Sequence, residues 1–220
     1  MLNRMKKLES IFISFLVIFS ILLYFIDFMA LDISYYNKFH KENNIAKVSN
    51  LSEKYVQDAS VSLVRFLKNG KEEELKENFN KKEISHMKDV YKLFRLDRKL
   101  YKSFISISII VIIYCMIKKD RMFFYYLKKY FLIVYFSLLM FLAICSMFFS
   151  NSFMYFHKIF FKNDLWLLDY DTDFMIRILP EKFFFTLFLN VLVLWSIVVF
   201  VIYIFIRLKK SIGVKIWKLI

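Results

Sequence analysis

Two histidines in this sequence have neighbours that suit proton transfer. His86 precedes Asp89 by three residues, so on a helix both fall on one face. His157 is followed closely by Asn163, Asp164 and Trp166. Imidazole, with a reference pKa of about 6.5, accepts and returns a proton near neutrality. Asp89 is expected to orient the His86 ring and raise its basicity. An N–H of Asn163 or Trp166 is expected to donate to an oxyanion, with Asp164 as a further supporting group. The plainer alternative makes each histidine an interfacial polar residue at a helix end.

Other chemistries find less support. No HExxH or CxxC spacing occurs, so no metal site is expected. Asp169, Asp171 and Asp173 imitate the opening of a calcium loop. That loop then needs glycine and glutamate where this chain has Phe174 and Pro180. These acids are expected to form a solvated turn, or to pair with Arg177 and with basic residues of the external segment 32–102. There is no nucleophile elbow, phosphate-binding glycine loop or kinase signature. Acyl chemistry on this chain would therefore use direct attack assisted by a base.

The elements that must position these residues are apolar. Of 220 residues 59% are hydrophobic, with only two glycines and one proline, which excludes both an ordinary soluble domain and a disordered chain. Runs near Ile11–Leu31, Ser103–Ile117, Phe131–Ser150 and Phe183–Ile206 reach or approach the roughly 20 residues that span a bilayer. None alternates as a barrel strand does. The net charge of +14 does not indicate nucleic acid, because the basic residues crowd the ends of the apolar runs. Arg4 to Lys7, Lys118 to Lys129 and Arg207 to Lys218 are expected on the cytoplasmic side, whereas the loop 151–182 lacks a basic excess. The fold expected is an all-α integral membrane protein with four transmembrane helices and cytoplasmic termini. Two extracytoplasmic segments would pack over its outer mouth.

The chain then divides into an anchor and first span (1–31), an external segment leading into the second span (32–102), and a central part with spans two and three (103–150). An external active-site loop (151–182) and the fourth span with a basic tail (183–220) complete it. The first span lacks a signal-peptidase site and reads as uncleaved. Cys115 and Cys145 lie inside spans as small apolar side chains. Asp27 and Asn190 are the polar residues of note within spans. Leu51–Leu67 has helical apolar spacing and is expected to stop near Asn69-Gly70. Ile84, Met87, Tyr91 and Phe94 form a stripe on a helix that continues into the second span. Pro180 followed by Glu181 marks the start of the fourth.

Two blocks of residues resemble a family. The first is His157 with Phe160, Phe161, Asn163, Asp164 and Trp166, then Leu168-Asp169, Asp173 and Leu179-Pro180-Glu181. The second is Glu83 to Met87 with Asp89-Val90 and Leu93-Phe94. Together they resemble the four-span bacterial membrane proteins of the lipoprotein intramolecular transacylase family. Tyr170 and Tyr91 depart from the family pattern, and His40 belongs to neither block.

The resemblance implies an acyltransferase of the bacterial cytoplasmic membrane, acting at its outer face on diacylglyceryl-modified lipoproteins. The sn-2 acyl chain would pass to the α-amino group of the N-terminal cysteine, giving a lyso-form lipoprotein. It implies His86 and His157 as the catalytic pair, with acid and base roles left open between them, and no cofactor. The partners implied are lipoproteins and membrane lipids, not nucleic acid. The rival readings are a non-enzymatic lipid- or peptide-binding subunit and a zinc-dependent membrane hydrolase.

Overall fold

The computed structural model describes residues 2–216, with side chains over 3–208. The Lys209–Lys218 part of the expected basic tail lies outside the described side chains. The elements are α1 (Leu2–Ala30), α2 (Ile33–Glu42), α3 (Ile45–Val48), α4 (Glu53–Asn69), a 3-10 turn (Glu72–Leu75), α5 (Lys81–Ile117), α6 (Arg121–Met147), α7 (Phe149–Phe160), α8 (Phe174–Ile178) and α9 (Glu181–Ile216). No strand occurs among the described residues. Helices α1, α5, α6 and α9 are long and apolar enough to cross a membrane. At 1.5 Å per residue, the 37 residues of α5 reach about 55 Å, well beyond a hydrocarbon core of about 30 Å. Its polar N-terminal half, which carries His86, therefore extends outside the bilayer core.

The chain forms two compact units. The first comprises residues 1–25, 99–144 and 191–220. Its core includes Ile13, Leu16, Cys115, Phe123 and Leu127. Polar groups here close on one another. Lys6 Nζ lies 2.8 Å from carboxylate oxygens of both Glu9 and Asp120. Ser10 Oγ donates to the Phe123 carbonyl at 2.9 Å, and Trp195 Nε1 to the Ile18 carbonyl at 2.8 Å. A buried indole N–H needs such an acceptor when its ring fills a core.

The connection between α5 and α6 is shorter than the apolar runs suggest. Lys119 turns in the left-handed region at φ 52°, and the Asp120 carboxylate accepts from Phe123 N–H at 3.0 Å. This cap starts α6 at Arg121, before the expected Phe131, so Lys128 and Lys129 ride on the helix and not in a loop.

The second unit comprises residues 26–98 and 145–190. Phe39, Leu63, Phe66, Leu75, Ile178 and Phe183 are central to its core. Helix α4 begins at Ser52, whose hydroxyl accepts from Tyr55 N–H at 3.1 Å, and stops at Gly70 as expected. Gly70 sits at φ 72°, and a β-carbon there would run into the Tyr91 ring, so two constraints select glycine. Tyr35 and Tyr36 of α2 pack on Phe183, and the Tyr35 hydroxyl bonds the Phe183 carbonyl at 3.0 Å. Asp27, flagged as an intramembrane acid, is paired with Arg98 at 2.8 Å. Asn190 is exposed on α9. His40 is buried against the Ile178 carbonyl at 2.9 Å, which gives it a structural partner.

Candidate functional site

The site is built from the N-terminal end of α5. Asn80 and Glu83 cap each other: the Glu83 N–H donates to Asn80 Oδ1 at 3.0 Å, and the Asn80 N–H to Glu83 Oε2 at 2.7 Å. Glu83 is fully buried, and its other oxygen accepts from the Met175 N–H at 2.6 Å, joining α5 to α8. Asp173 accepts from Asn80 Nδ2 at 2.7 Å, from Lys82 Nζ at 3.0 Å and from the Asp169 N–H at 2.7 Å. These bonds tether the segment after α7 to the first turn of α5. Asp173 is thus buried and takes the second of the two expected arrangements, pairing with a basic residue of the 32–102 segment, Lys82, and not the solvated turn. Arg177 stacks on Phe174 at 4.4 Å.

One turn beyond Glu83, His86 faces His157. The ring centroids are 6.2 Å apart, and both side chains are buried, at 7% and 9% exposure. His157 is in the last turn of α7, not at the start of a loop, because α6 ends at Met147 and a separate helix forms. Aromatic rings enclose the pair. Phe161 lies 5.2 Å from His86 and 5.5 Å from His157, Trp166 lies 5.1 Å from His157, and Phe153 lies 4.4 Å from it.

The two imidazoles differ in their partners. His157 Nδ1 is 2.7 Å from the Phe153 carbonyl oxygen. A carbonyl only accepts, so Nδ1 carries the hydrogen and, in the neutral ring, Nε2 holds the lone pair. His86 Nδ1 is buried and has no hydrogen-bond partner. Burial lowers the pKa of His86 to about 4, helped by the neighbouring His157 and opposed by the charge of Asp89. Burial also lowers that of His157, opposed by the Phe153 carbonyl. Both rings are therefore neutral at neutral pH.

The supporting residues expected from the sequence gather around the pair with altered roles. Asp89 bonds to Lys92 at 2.8 Å and to Asn163 Nδ2 at 2.9 Å, and not to His86, on which it acts by charge alone. Asn163 uses its amide to hold this bridge and its Oδ1 to accept from the Leu165 N–H at 3.1 Å. Trp166 packs directly on His157. Asp164 is exposed, and its carbonyl accepts from the Leu167 N–H at 3.1 Å, holding the turn without approaching either histidine. Sequence reasoning assigned no role to Glu83 or Phe161. The Asn80-x-x-Glu83 spacing is the signal of the first, whereas the second stood only as a member of the His157 block, its contact with both rings unmarked. No group of three or more His, Cys, Asp or Glu among the described residues is arranged to hold a metal ion.

The site can therefore hold a reacting group between two neutral imidazoles, one with its tautomer set and one with an unsatisfied nitrogen. Comparison with known proteins bears on what that group is. The family model described as lipoprotein intramolecular transacylase Lit matches residues 11–184. A structure of the membrane-integral lipoprotein intramolecular transacylase Lit from Bacillus cereus is similar over 95% of this chain and 99% of its own, at 24% identity and a TM-score of 0.75. A variant of it with a histidine-to-arginine mutation covers 96% and 95% at 23% identity and a TM-score of 0.74. A second variant, with a histidine-to-alanine mutation, covers 95% and 96% at the same identity, 23%, and TM-score, 0.74. No curated protein sequence matches the chain.

Proposed function

The chain belongs to the lipoprotein intramolecular transacylase Lit family, and from that premise we propose that His86 and His157 carry out its acyl transfer as base and hydrogen-bond donor. The enzyme is a membrane-integral acyltransferase acting on lipoproteins. The observation that carries the assignment is the pair of buried rings 6.2 Å apart, one of which has an unpartnered nitrogen.

The substrate is a diacylglyceryl-modified lipoprotein whose N-terminal cysteine bears a free α-amine, with a reference pKa of about 7.7–8.0. The neutral amine attacks the sn-2 ester carbonyl and a C–N bond forms. The nitrogen of the adduct is then far more acidic than the free ammonium, so a weak base suffices to take its proton. His157 Nε2 supplies that base, because Phe153 holds the proton on the other nitrogen. Neutral His86 donates an N–H to the oxygen on which charge develops. The C–O bond to the glyceryl sn-2 position breaks, and imidazolium His157 returns its proton to the departing alkoxide. Every atom of the transferred group stays within one molecule, so no external donor enters and positioning replaces a bimolecular encounter.

Charge supports a location on the extracytoplasmic face. The basic clusters Arg4–Lys7, Lys118–Lys129 and Arg207 onward orient the ends of the spans toward the cytoplasm, which leaves 32–102 and 151–182 outside. Membrane lipids surround the site, and the same clustering leaves no basic face for nucleic acid.

Mass spectrometry of a diacylglyceryl lipoprotein incubated with the purified enzyme tests the reading. The expected product has unchanged total mass, with one acyl chain on the N-terminal peptide amine, and His86→Ala and His157→Ala each prevent its formation. Full turnover by both variants would overturn the assignment. Loss of one acyl mass would mean hydrolysis.

A further inference from the structure

Both imidazoles are shut away from the surface. His86 and His157 are buried, and neither lines the two surface grooves that share Phe161, Lys162 and Asn163. A lipopeptide that is to meet both rings therefore needs part of their cover to move. That cover has a fixed part and a loose part. Phe153 belongs to α7, and Phe161 is buried at its end with its N–H on the His157 carbonyl at 2.8 Å. Asp169 is anchored by the buried Asp173. Its N–H donates to Asp173 Oδ2 at 2.7 Å, and its carbonyl accepts from the Asp173 N–H at 2.8 Å.

Between these anchors residues 162–168 form no helix, and they carry the Trp166 ring to within 5.1 Å of His157. Two hydrogen bonds, both exposed, fasten the segment to α5. Asn163 Nδ2 donates to Asp89 Oδ2 at 2.9 Å, and Lys82 Nζ donates to the Leu167 carbonyl at 2.7 Å. An exposed bond trades for water at little net cost, whereas the buried pairing of Asp173 does not. Other bonds of the segment are internal. The Leu165 N–H donates to Asn163 Oδ1 and the Leu167 N–H to the Asp164 carbonyl, each at 3.1 Å. These survive a movement of the segment as a unit. Lys162, Asn163, Asp164 and Leu167 are exposed, so little apolar packing opposes that movement.

Resting on the function proposed above, we propose that residues 162–168 are a lid over the histidine pair. The lid lifts about Phe161 and Asp169 to admit the lipopeptide and closes over it, with Asn163 on Asp89 as the latch. Opening breaks the two exposed bonds and takes Trp166 off His157. Closing remakes the latch three residues along α5 from His86. Closure also excludes bulk water from the ester, which guards the transfer against hydrolysis.

The test bridges the latch in the full-length enzyme. Asp89→Cys and Asn163→Cys are combined with Cys115→Ala and Cys145→Ala, and a short bifunctional thiosulfonate joins the two new thiols reversibly. The probe is a diacylglyceryl lipopeptide with an acetylated α-amine, which has no nucleophile and so binds without reacting. Bridging before the probe is added is expected to slow its uptake by about tenfold or more, and reductant to restore it. Bridging after it has bound is expected to trap it, slowing release on dilution by about tenfold or more. Lys82→Cys with Leu167→Cys closes the second tether and carries the same test should the first pair bind no probe when reduced. Uptake or release that bridging changes by less than about twofold overturns the lid, as does a bound probe that prevents bridging. Absence of transfer by the wild-type enzyme on the free-amine lipopeptide would instead overturn the function on which the lid rests.

Discussion

The two units handle buried polarity differently, because the second closes groups such as Asp27, Glu83 and Asp173 in pairs but leaves a few others open. In the first, Lys6 is held between Glu9 and Asp120, Ser10 and Trp195 reach backbone carbonyls, and the polar groups form closed pairs. In the second, His86 Nδ1, Asp97 Oδ2 and Arg177 Nε are buried without hydrogen-bond partners. An unpaired buried polar atom costs about 1–3 kcal/mol, so a fold tolerates it where something else is gained. The closed pairs hold spans together. The unsatisfied His86 nitrogen sits among the rings of His157 and Phe161, where the proposed mechanism has a substrate oxygen complete it. On the function proposed above, the difference separates a polar cluster built for stability from one built for chemistry, although both contain ionisable groups deep among apolar side chains.

That contrast can be broken most directly at the histidines. His157→Gln keeps a polar side chain but removes the titrating nitrogen, and turnover is expected to fall by about a hundredfold or more. Thermal unfolding should move little, since the surrounding aromatic rings remain. A comparable loss of stability would show that His157 is structural, like the polar residues of the first unit.

Glu83 lies at the border between the two kinds of group, because it is buried and fully engaged yet holds the site. Glu83→Ala leaves the Met175 and Asn80 N–H groups unpaired and is expected to cost about 3 kcal/mol, read from chemical denaturation in detergent. Glu83→Gln retains one acceptor oxygen and should recover a large part of that loss.

Asp120 offers the control from the first unit. Asp120→Ala removes the cap of α6 and a partner of Lys6, with an expected cost of about 1 kcal/mol and no change in kcat per folded molecule. A large change in kcat would show that the closed cluster is coupled to catalysis.

The pH dependence sharpens the comparison further. His86 has a folded pKa near 4, against about 6.5 unfolded, so the unfolded chain binds the extra proton between those values. Its contribution to stability is present above pH 6.5 and is lost as pH falls toward 4. The lowered pKa of His157 likewise keeps the proposed base neutral, so its imidazole is expected to titrate below pH 6.5 in the free enzyme, as read by NMR of the ring. A ring that titrates at or above pH 6.5 would contradict the burial argument.

Much of the architecture was legible because its signals are local. Length and apolarity specify the spanning helices, the stripe Ile84–Met87–Tyr91–Phe94 specifies the outer part of α5, and Gly70 and Pro180 mark helix ends through their backbone chemistry. The end of the third span was less legible. The residues from Phe148 onward remain apolar, and only the backbone turn at Phe148 separates α6 from α7 and lifts His157 onto a helix of its own.

What the sequence determined by itself was the number of spans, the distribution of charge along them and the two histidine-bearing blocks, since each depends on residues near one another in the chain. Tertiary structure alone decided that His86 and His157 face each other beside Phe161 and that Phe153 fixes one tautomer. It alone committed Asp89 to Asn163, and Glu83 and Asp173 to holding the segment in place. Those contacts join α5 to residues 153–175, far apart in the chain. Packing, which brings such distant groups together and removes the water between them, is what turns two ordinary imidazoles into an unequal pair.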